Sequence, residues 1–202
     1  MDRAELQILY ANTVTTSSGR KKLPVQDADT FQSVLFGTPE RDKVLRETLK
    51  TRPMSPQWKT WIRKDWWGRE ERENSIDPAL YDLRDRLLSF AGEAVCMCFP
   101  EPDVQDILSY GQIWFGRNAK KVKGRMSQCH ANASLLASRS NGAYRLCTGY
   151  ALSDDGMWRQ HSWCVEIRPR SVRVIETTEE RILYYGYVLT DEDVREFNRR
   201  LW

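Results

Sequence analysis

The chain has five cysteines but only two histidines, His130 and His161, so any thiol-imidazole chemistry it performs has few places to be. A cysteine attacks a carbonyl as thiolate, and a thiol at a helix N-terminus beside an imidazolium ionises at about 3.5 to 7.5 instead of about 8.5. Cys129 has that address. It opens a predicted helix running to about Ser140, in which Ala131, Ala133, Leu135 and Leu136 pin the helix to the core while its first turn looks outward. His130 adjoins it, and neighbours on a helix point about 100° apart, so His161 is the expected base. The bland alternatives are a buried structural cysteine and a hydrogen-bonded core histidine.

The third member comes from hairpin register. His161 lies near the start of a strand in which Trp163, Val165 and Ile167 share its face. Closing the turn around Pro169-Arg170 with an even loop pairs Arg168 with Ser171 and Trp163 with Glu176. Glu176 then becomes a diagonal neighbour of His161, about 7 to 8 Å away between backbones and within reach of an imidazole. A slip of one residue would turn it away, leaving an exposed glutamate at a strand end without a role. Glu166 sits five positions along the same strand as His161, facing the other side and about 16 Å distant.

The elements needed to hold these residues are legible to different degrees. Asp77-Pro78 starts a clear helix with Leu80, Leu83, Leu87, Leu88 and Ala91 on one side and Gly92 as its stop. A shorter helix over 102–110 ends at Gly111, before the apolar-aromatic Ile113, Trp114 and Phe115. Strands are expected at Tyr144 to Leu152, Met157 to Ile167 and Val172 to Thr177, separated by the turns Ser153 to Gly156 and Arg168 to Ser171. Leu189, Thr190 and Val194 have the spacing of a staple around an N-cap for a closing helix lined by Val194, Phe197 and Leu201. Toward the N-terminus, residues 1–37 form a polar arm, Thr38-Pro39 starts a short surface helix that Pro53 stops, and 53–74 is irregular with some helix. One α+β catalytic domain over 38–202 is therefore expected, with a helical part at 38–107 and a sheet part at 108–202.

The order helix-Cys, strand-His, strand-acid, with gaps of 32 and 15 residues, resembles the papain-like and transglutaminase-like superfamily of thiol enzymes over roughly residues 108–190. The resemblance implies an α+β fold with the nucleophile helix packed on a small antiparallel sheet, and a triad of Cys129, His161 and Glu176. It departs from the pattern at the acid, where many members carry Asp or Asn. It also implies donors for the developing oxyanion, for which Gln112, beside Gly111 at a loop start, and Gln128, just before the nucleophile, are the candidates. The expected activity is hydrolysis or acyl transfer at an amide or ester carbonyl, of peptidase, deamidase or isopeptidase type, without a cofactor.

Composition bounds the rest. With 41% apolar and 29% charged residues the chain is globular, and no apolar run is long enough to span a bilayer, so no membrane association is expected. The odd number and irregular spacing of Cys96, Cys98, Cys129, Cys147 and Cys164 fit a reducing cytoplasm better than a disulfide framework. A zinc site from His161, Cys164, Cys96 and Cys98 has poor spacing, and no metal is expected. A net charge of +3 is too small to argue for nucleic acid by itself. Lys120, Lys121 and Lys123 beside Trp114 nonetheless make a candidate binding surface, with Trp163, for a protein or peptide substrate bearing an acidic segment. The rival class is a non-catalytic protein that docks nucleic acid or an acidic partner through this basic and aromatic surface.

Overall fold

The computed structural model describes Asp2 and residues 49–168 and 171–201. The expected arm 1–37, all but the last residues of the helix expected from Thr38, and the turn pair Pro169-Arg170 lie outside the described residues. The chain is mixed α+β. Its helical part is more regular than the sequence pattern indicates: α1 (Pro56–Trp61) runs through a π-helical turn (Ile62–Trp67) into α2 (Gly68–Glu73). Ser55 caps α1 by accepting from the Trp58 backbone N–H. The π turn sets Trp66 and Trp67 side by side, and their indoles donate to the carbonyls of Met97 and Val95, both at 2.9 Å. Those bonds satisfy backbone acceptors in and just after β1 (Ala94–Cys96), a strand supplied by the helical part.

Next comes α3 (Pro78–Phe90), capped by Asp77, whose carboxylate accepts from Ala79 N–H, and buried along Leu80, Leu83 and Leu87. It packs on α4 (Val104–Tyr110), and the Arg86 guanidinium ties the two by donating to Leu108 O at 2.7 Å. The sheet follows with β2 (Gln112–Phe115), β3 (Lys120–Lys121), β4 (Tyr144–Leu152), β5 (Met157–Arg168), β6 (Ser171–Glu176) and β7 (Leu183–Val188). Between β3 and β4 lies α5 (Cys129–Arg139), and α6 (Asp191–Leu201) closes the chain. Thr190 and Asp193 cap α6 reciprocally, at 2.8 and 3.1 Å.

The strand order is β2-β7-β4-β5-β6-β3, with β1 added parallel to β5. The sheet is thus larger than the small antiparallel one expected, and it is mixed, because β3 also runs parallel to β6. β2 and β3 stand at opposite ends of this order, yet only Gly116 to Ala119 separate them in sequence. Six flat strands would span about 24 Å, whereas so short a link reaches about 18 Å at most. The sheet must curl. Trp114 of β2 and Trp163 of β5, three strands apart, accordingly meet inside the curl with ring centroids 5.5 Å apart.

Two cores result. Inside the curl lie Trp114, Cys147, Ala151, Trp163, Val165, Val174, Tyr184 and Val188, and the outer face packs against the helices through Leu146, Tyr150, Leu152, Trp158, Cys164 and Tyr185. β7 is buried at every position. Gly116 makes the corner that joins the sheet's two ends, donating to Ile182 O at 3.0 Å, and a Cβ there would stand 1.6 Å from Arg181 O. Gly116→Ala is therefore expected to cost about 3 kcal/mol in urea melts through backbone overpacking. Gly142→Ala, with φ +83° but nothing within 4 Å, should cost only about 1 kcal/mol. Equal losses would mean that the closure at Gly116 is not under constraint.

Candidate active site

β5 is longer than any one neighbour on its outer edge. β1 covers Met157 to Arg159 and β6 covers Cys164 to Arg168, leaving 160–163 without a strand partner on that side among the described residues. His161 sits in this gap. Arg168 pairs with Ser171 and Cys164 with Ile175, the register that places Glu176 opposite Trp163. Glu176 and His161 consequently share the inner face, with His161 Nε2 donating to Glu176 Oε2 at 2.9 Å.

Cys129 arrives from the same strand end. After β3, Val122 N–H donates to Glu176 O at 2.8 Å and Gly124 N–H to Thr177 O at 2.9 Å, so the basic segment runs alongside the end of β6. Asn132 clamps the loop, its Nδ2 donating to Arg125 O and its Oδ1 accepting from Arg125 N–H. Ser127 then takes a left-handed φ of 58° that turns the chain into α5. The helix lies on the outer face of β5, where the Cys164 thiol donates to Ala133 O at 3.2 Å. Its first residue, Cys129, is thereby set at the β5 gap, where it lines one cavity together with His161.

Electrostatics follow from these partners. Glu176 is 1% exposed, and burial acts to raise its pKa. The bond from His161, the imidazolium charge, the Thr178 N–H and the Tyr184 hydroxyl outweigh burial and hold it at about 2. Its Oε1 accepts from Thr177 N–H, Thr178 N–H and Thr178 Oγ1, and its Oε2 from His161 and, at 2.8 Å, Tyr184. Burial works against the charged form of His161, but the bonds to Cys129 and Glu176 raise its pKa overall. Burial likewise works against the Cys129 thiolate, yet hydrogen bonds from His130 and His161 bring the thiol down to about 5. The other four thiols go the opposite way through burial, Cys164 to about 12.

A cavity of about 460 Å³ opens over the thiol, lined in part by Cys129, His161, Gln160 and Arg181. Its walls carry both signs of charge, with Arg52 paired to Asp154 at 2.8 Å and Arg159 to Asp155 at 2.6 Å. Gln160 is fixed by Glu101, which accepts from its Nε2 at 3.0 Å and from the Tyr150 hydroxyl at 2.6 Å. Among the described residues no group of three or more His, Cys, Asp or Glu is placed to hold a metal ion.

Several expected residues lie elsewhere. Gln112 stands on β2, paired with Gly186 of β7, and does not line the cavity that Cys129 and His161 share. Gln128 is exposed, and neither glutamine lines the cavity. Trp114 and Trp163 are buried inside the curl, Trp163 stacked on His161 at 6.2 Å, and present no surface to a substrate. Leu135, expected to pin the helix, is 46% exposed, and Ala133 and Ser134 are the residues α5 buries. Lys120, Lys121 and Lys123 are exposed along the β3 edge, outside the cavity. Glu166 bonds Arg168 at 2.8 Å, away from His161.

Sequence reasoning missed Tyr184 and Gln160 and set His130 aside, whereas Thr178, named from sequence as a neighbour of the site, does donate to Glu176. Tyr184 belongs to a strand whose aromatic content was its one visible signal. His130 reaches across to β5, where its Nδ1 lies 2.7 Å from Ser162 Oγ. Because the Cys129 pKa is depressed, its thiolate persists down to about pH 5 and is lost below it. Iodoacetamide labelling of Cys129 should therefore be half-maximal near pH 5, read by peptide mass spectrometry, while Cys96, Cys98, Cys147 and Cys164 stay unlabelled at neutral pH. Equal labelling of all five would remove the nucleophile.

The chain matches no protein-family model, no curated protein and no solved structure.

Proposed function

We propose that the protein is a cysteine-nucleophile hydrolase or acyl transferase of papain-like or transglutaminase-like type, acting on an amide or ester carbonyl. The observation that carries this reading is the Cys129-His161-Glu176 set, in which a thiol lowered to about 5 shares a cavity with an imidazole whose Nε2 donates to an ionised carboxylate. Cys129 attacks the carbonyl as thiolate, and His161 Nδ1–H then protonates the departing amine or alcohol as the thioester forms. In the second half His161 accepts a proton from water or an amine as that group attacks the thioester. Glu176 holds the ring and stabilises the imidazolium throughout. For the oxyanion, the Cys129 backbone N–H at the helix start and the anchored Gln160 amide replace the two glutamines expected from sequence.

The charged cavity walls support a peptide or protein substrate with polar side chains around the scissile group, and the lysines on the β3 edge offer a landing for an acidic segment beyond it. All five cysteines are free thiols, which supports a reducing compartment such as the cytoplasm. Among the described residues no helix is long and apolar enough to cross a membrane.

The reading is tested with a panel of activated esters and peptide amides, following thioester formation at Cys129 by intact mass. Cys129→Ala should abolish acylation while leaving the melting temperature nearly unchanged, since alanine suits a first helical turn. Glu176→Gln puts an amide against the His161 donor, reverses the ring's preferred tautomer, and should lower turnover by about 10³ to 10⁴. Glu166→Gln should be close to silent. No acylation by any donor, or the reverse order of the two glutamate variants, would overturn the assignment.

A further inference from the structure

The cavity over Cys129 is walled in part by three arginines, Arg52, Arg159 and Arg181, and three acids, Asp154, Asp155 and Glu179, but the charges are unevenly matched. Asp155 gives one oxygen to each Nη of Arg159, at 3.0 and 2.6 Å, and Asp154 takes Arg52, itself 75% exposed, at 2.8 Å. Arg181 is served far less well. Its guanidinium has five N–H donors, yet among the described residues its hydrogen bond is the one that Nη1 donates to Ser153 Oγ. Glu179 stands 3.7 Å from the same nitrogen, beyond hydrogen-bond reach, with its own side chain 59% exposed to water. Nε is buried without an acceptor, and the side chain as a whole is only 12% exposed. A cation drawn this far out of water and left this short of acceptors favours an anion from outside.

We propose that Arg181 is the specificity-determining residue of this cavity, pairing its guanidinium with a carboxylate that the substrate carries near the carbonyl attacked by Cys129. This rests on Cys129 being the nucleophile. The backbone beneath Arg181 is fixed from two sides. Ile182 N–H donates to Leu152 O at 2.8 Å, and the Arg181 carbonyl lies against Gly116, where a Cβ would come within 1.6 Å of it. The same loop begins with Thr177 and Thr178, which donate to Glu176, so the substrate's anchor and the acid behind His161 belong to one stretch of chain. A guanidinium placed in advance and already desolvated loses little more on binding. A carboxylate meets it through charge-assisted hydrogen bonds that an amide of the same shape does not reproduce. Glu179 does not invite a cation in the same way, because its carboxylate is largely hydrated. The carboxylate has two sources, an acidic side chain and the end of a peptide chain, and both present the same pair of oxygens.

The test alkylates Cys129 in the full chain at neutral pH and needs no natural substrate. Two matched pairs of reagents are compared by their second-order rates at Cys129, read by peptide mass spectrometry and normalised to free cysteine. Iodoacetyl-glutamate amide against iodoacetyl-glutamine amide probes a side-chain carboxylate, and iodoacetyl-glycine against its amide probes a chain end. At least one pair should favour the acid by about 10- to 100-fold, the range of a hydrogen bond to a charged group, and the pair that does so names the source. Arg181→Met should bring that ratio close to one, and Arg181→Lys should keep part of it, because the charge stays while the fork is lost. Equal rates within both pairs in the wild type would overturn the proposal. So would an undiminished ratio in Arg181→Met with only the melting temperature lowered, since the side chain would then merely tie its loop to Ser153. Should Arg181→Met not fold, Arg181→Lys decides alone, and a ratio unchanged from wild type there overturns the proposal. In each of these outcomes selective labelling of Cys129 leaves the nucleophile standing, whereas labelling spread over all five cysteines brings down the nucleophile and the recognition with it.

Discussion

A carboxylate taken out of water must find its hydrogen bonds in the protein or give up its charge, and Glu176 keeps its charge at 1% exposure. The five bonds it accepts come from β5, from β7 and from the two residues that follow β6. No one of these elements can shift without orphaning an acceptor in a dry place, so the carboxylate acts as the pin on which three pieces of chain are aligned. The direction of the His161 ring is a consequence of that pin. The readiness of Cys129 to ionise is in turn a consequence of the ring.

The curl of the sheet makes the pin possible. A flat sheet of this order would leave Glu176 and Tyr184, three strands apart by way of β5 and β4, too distant for a 2.8 Å bond. Curling also gives the basic segment a structural duty. Val122 and Gly124 lace it to the end of β6, so Glu176 and the segment leading to Cys129 are delivered by adjacent, parallel pieces of backbone, with His161 supplied from β5. The division of β5 between β1 and β6 leaves the short uncovered edge at which thiol and imidazole meet from opposite faces of the sheet.

What the sequence disclosed, and what it hid, follow from range. The pairing of Arg168 with Ser171 depends on two turn residues, and from it the placement of Glu176 beside His161 follows by counting. The helix beginning at Cys129 and the cap at Thr190 are equally local. β7 escaped notice because it is buried on both faces, and a strand without a wet side shows no alternation. Gln112 lies outside the cavity because its strand pairs with one some seventy residues later, which nothing near it in sequence announces. The same holds for Tyr184 and Gln160, whose partners are long-range. His130 is a different case: the helical angle between neighbours is correct, but it governs where side chains leave the axis and not where they can swing beyond a helix end.

The position of β7 bears on when the fold closes around Glu176. It lies between β2 and β4, yet it is synthesised after both, so until residues 183–188 leave the ribosome β2 has no neighbour to pair with and the sheet stands open. Over that interval Cys129, His161 and Glu176 already exist in the nascent chain, but Tyr184 has not yet reached Glu176 and the curl around the carboxylate is incomplete. The hydrogen-bond set around Glu176 is therefore among the last features of the fold to be completed, because its bond from Tyr184 waits on a strand made near the end of the chain.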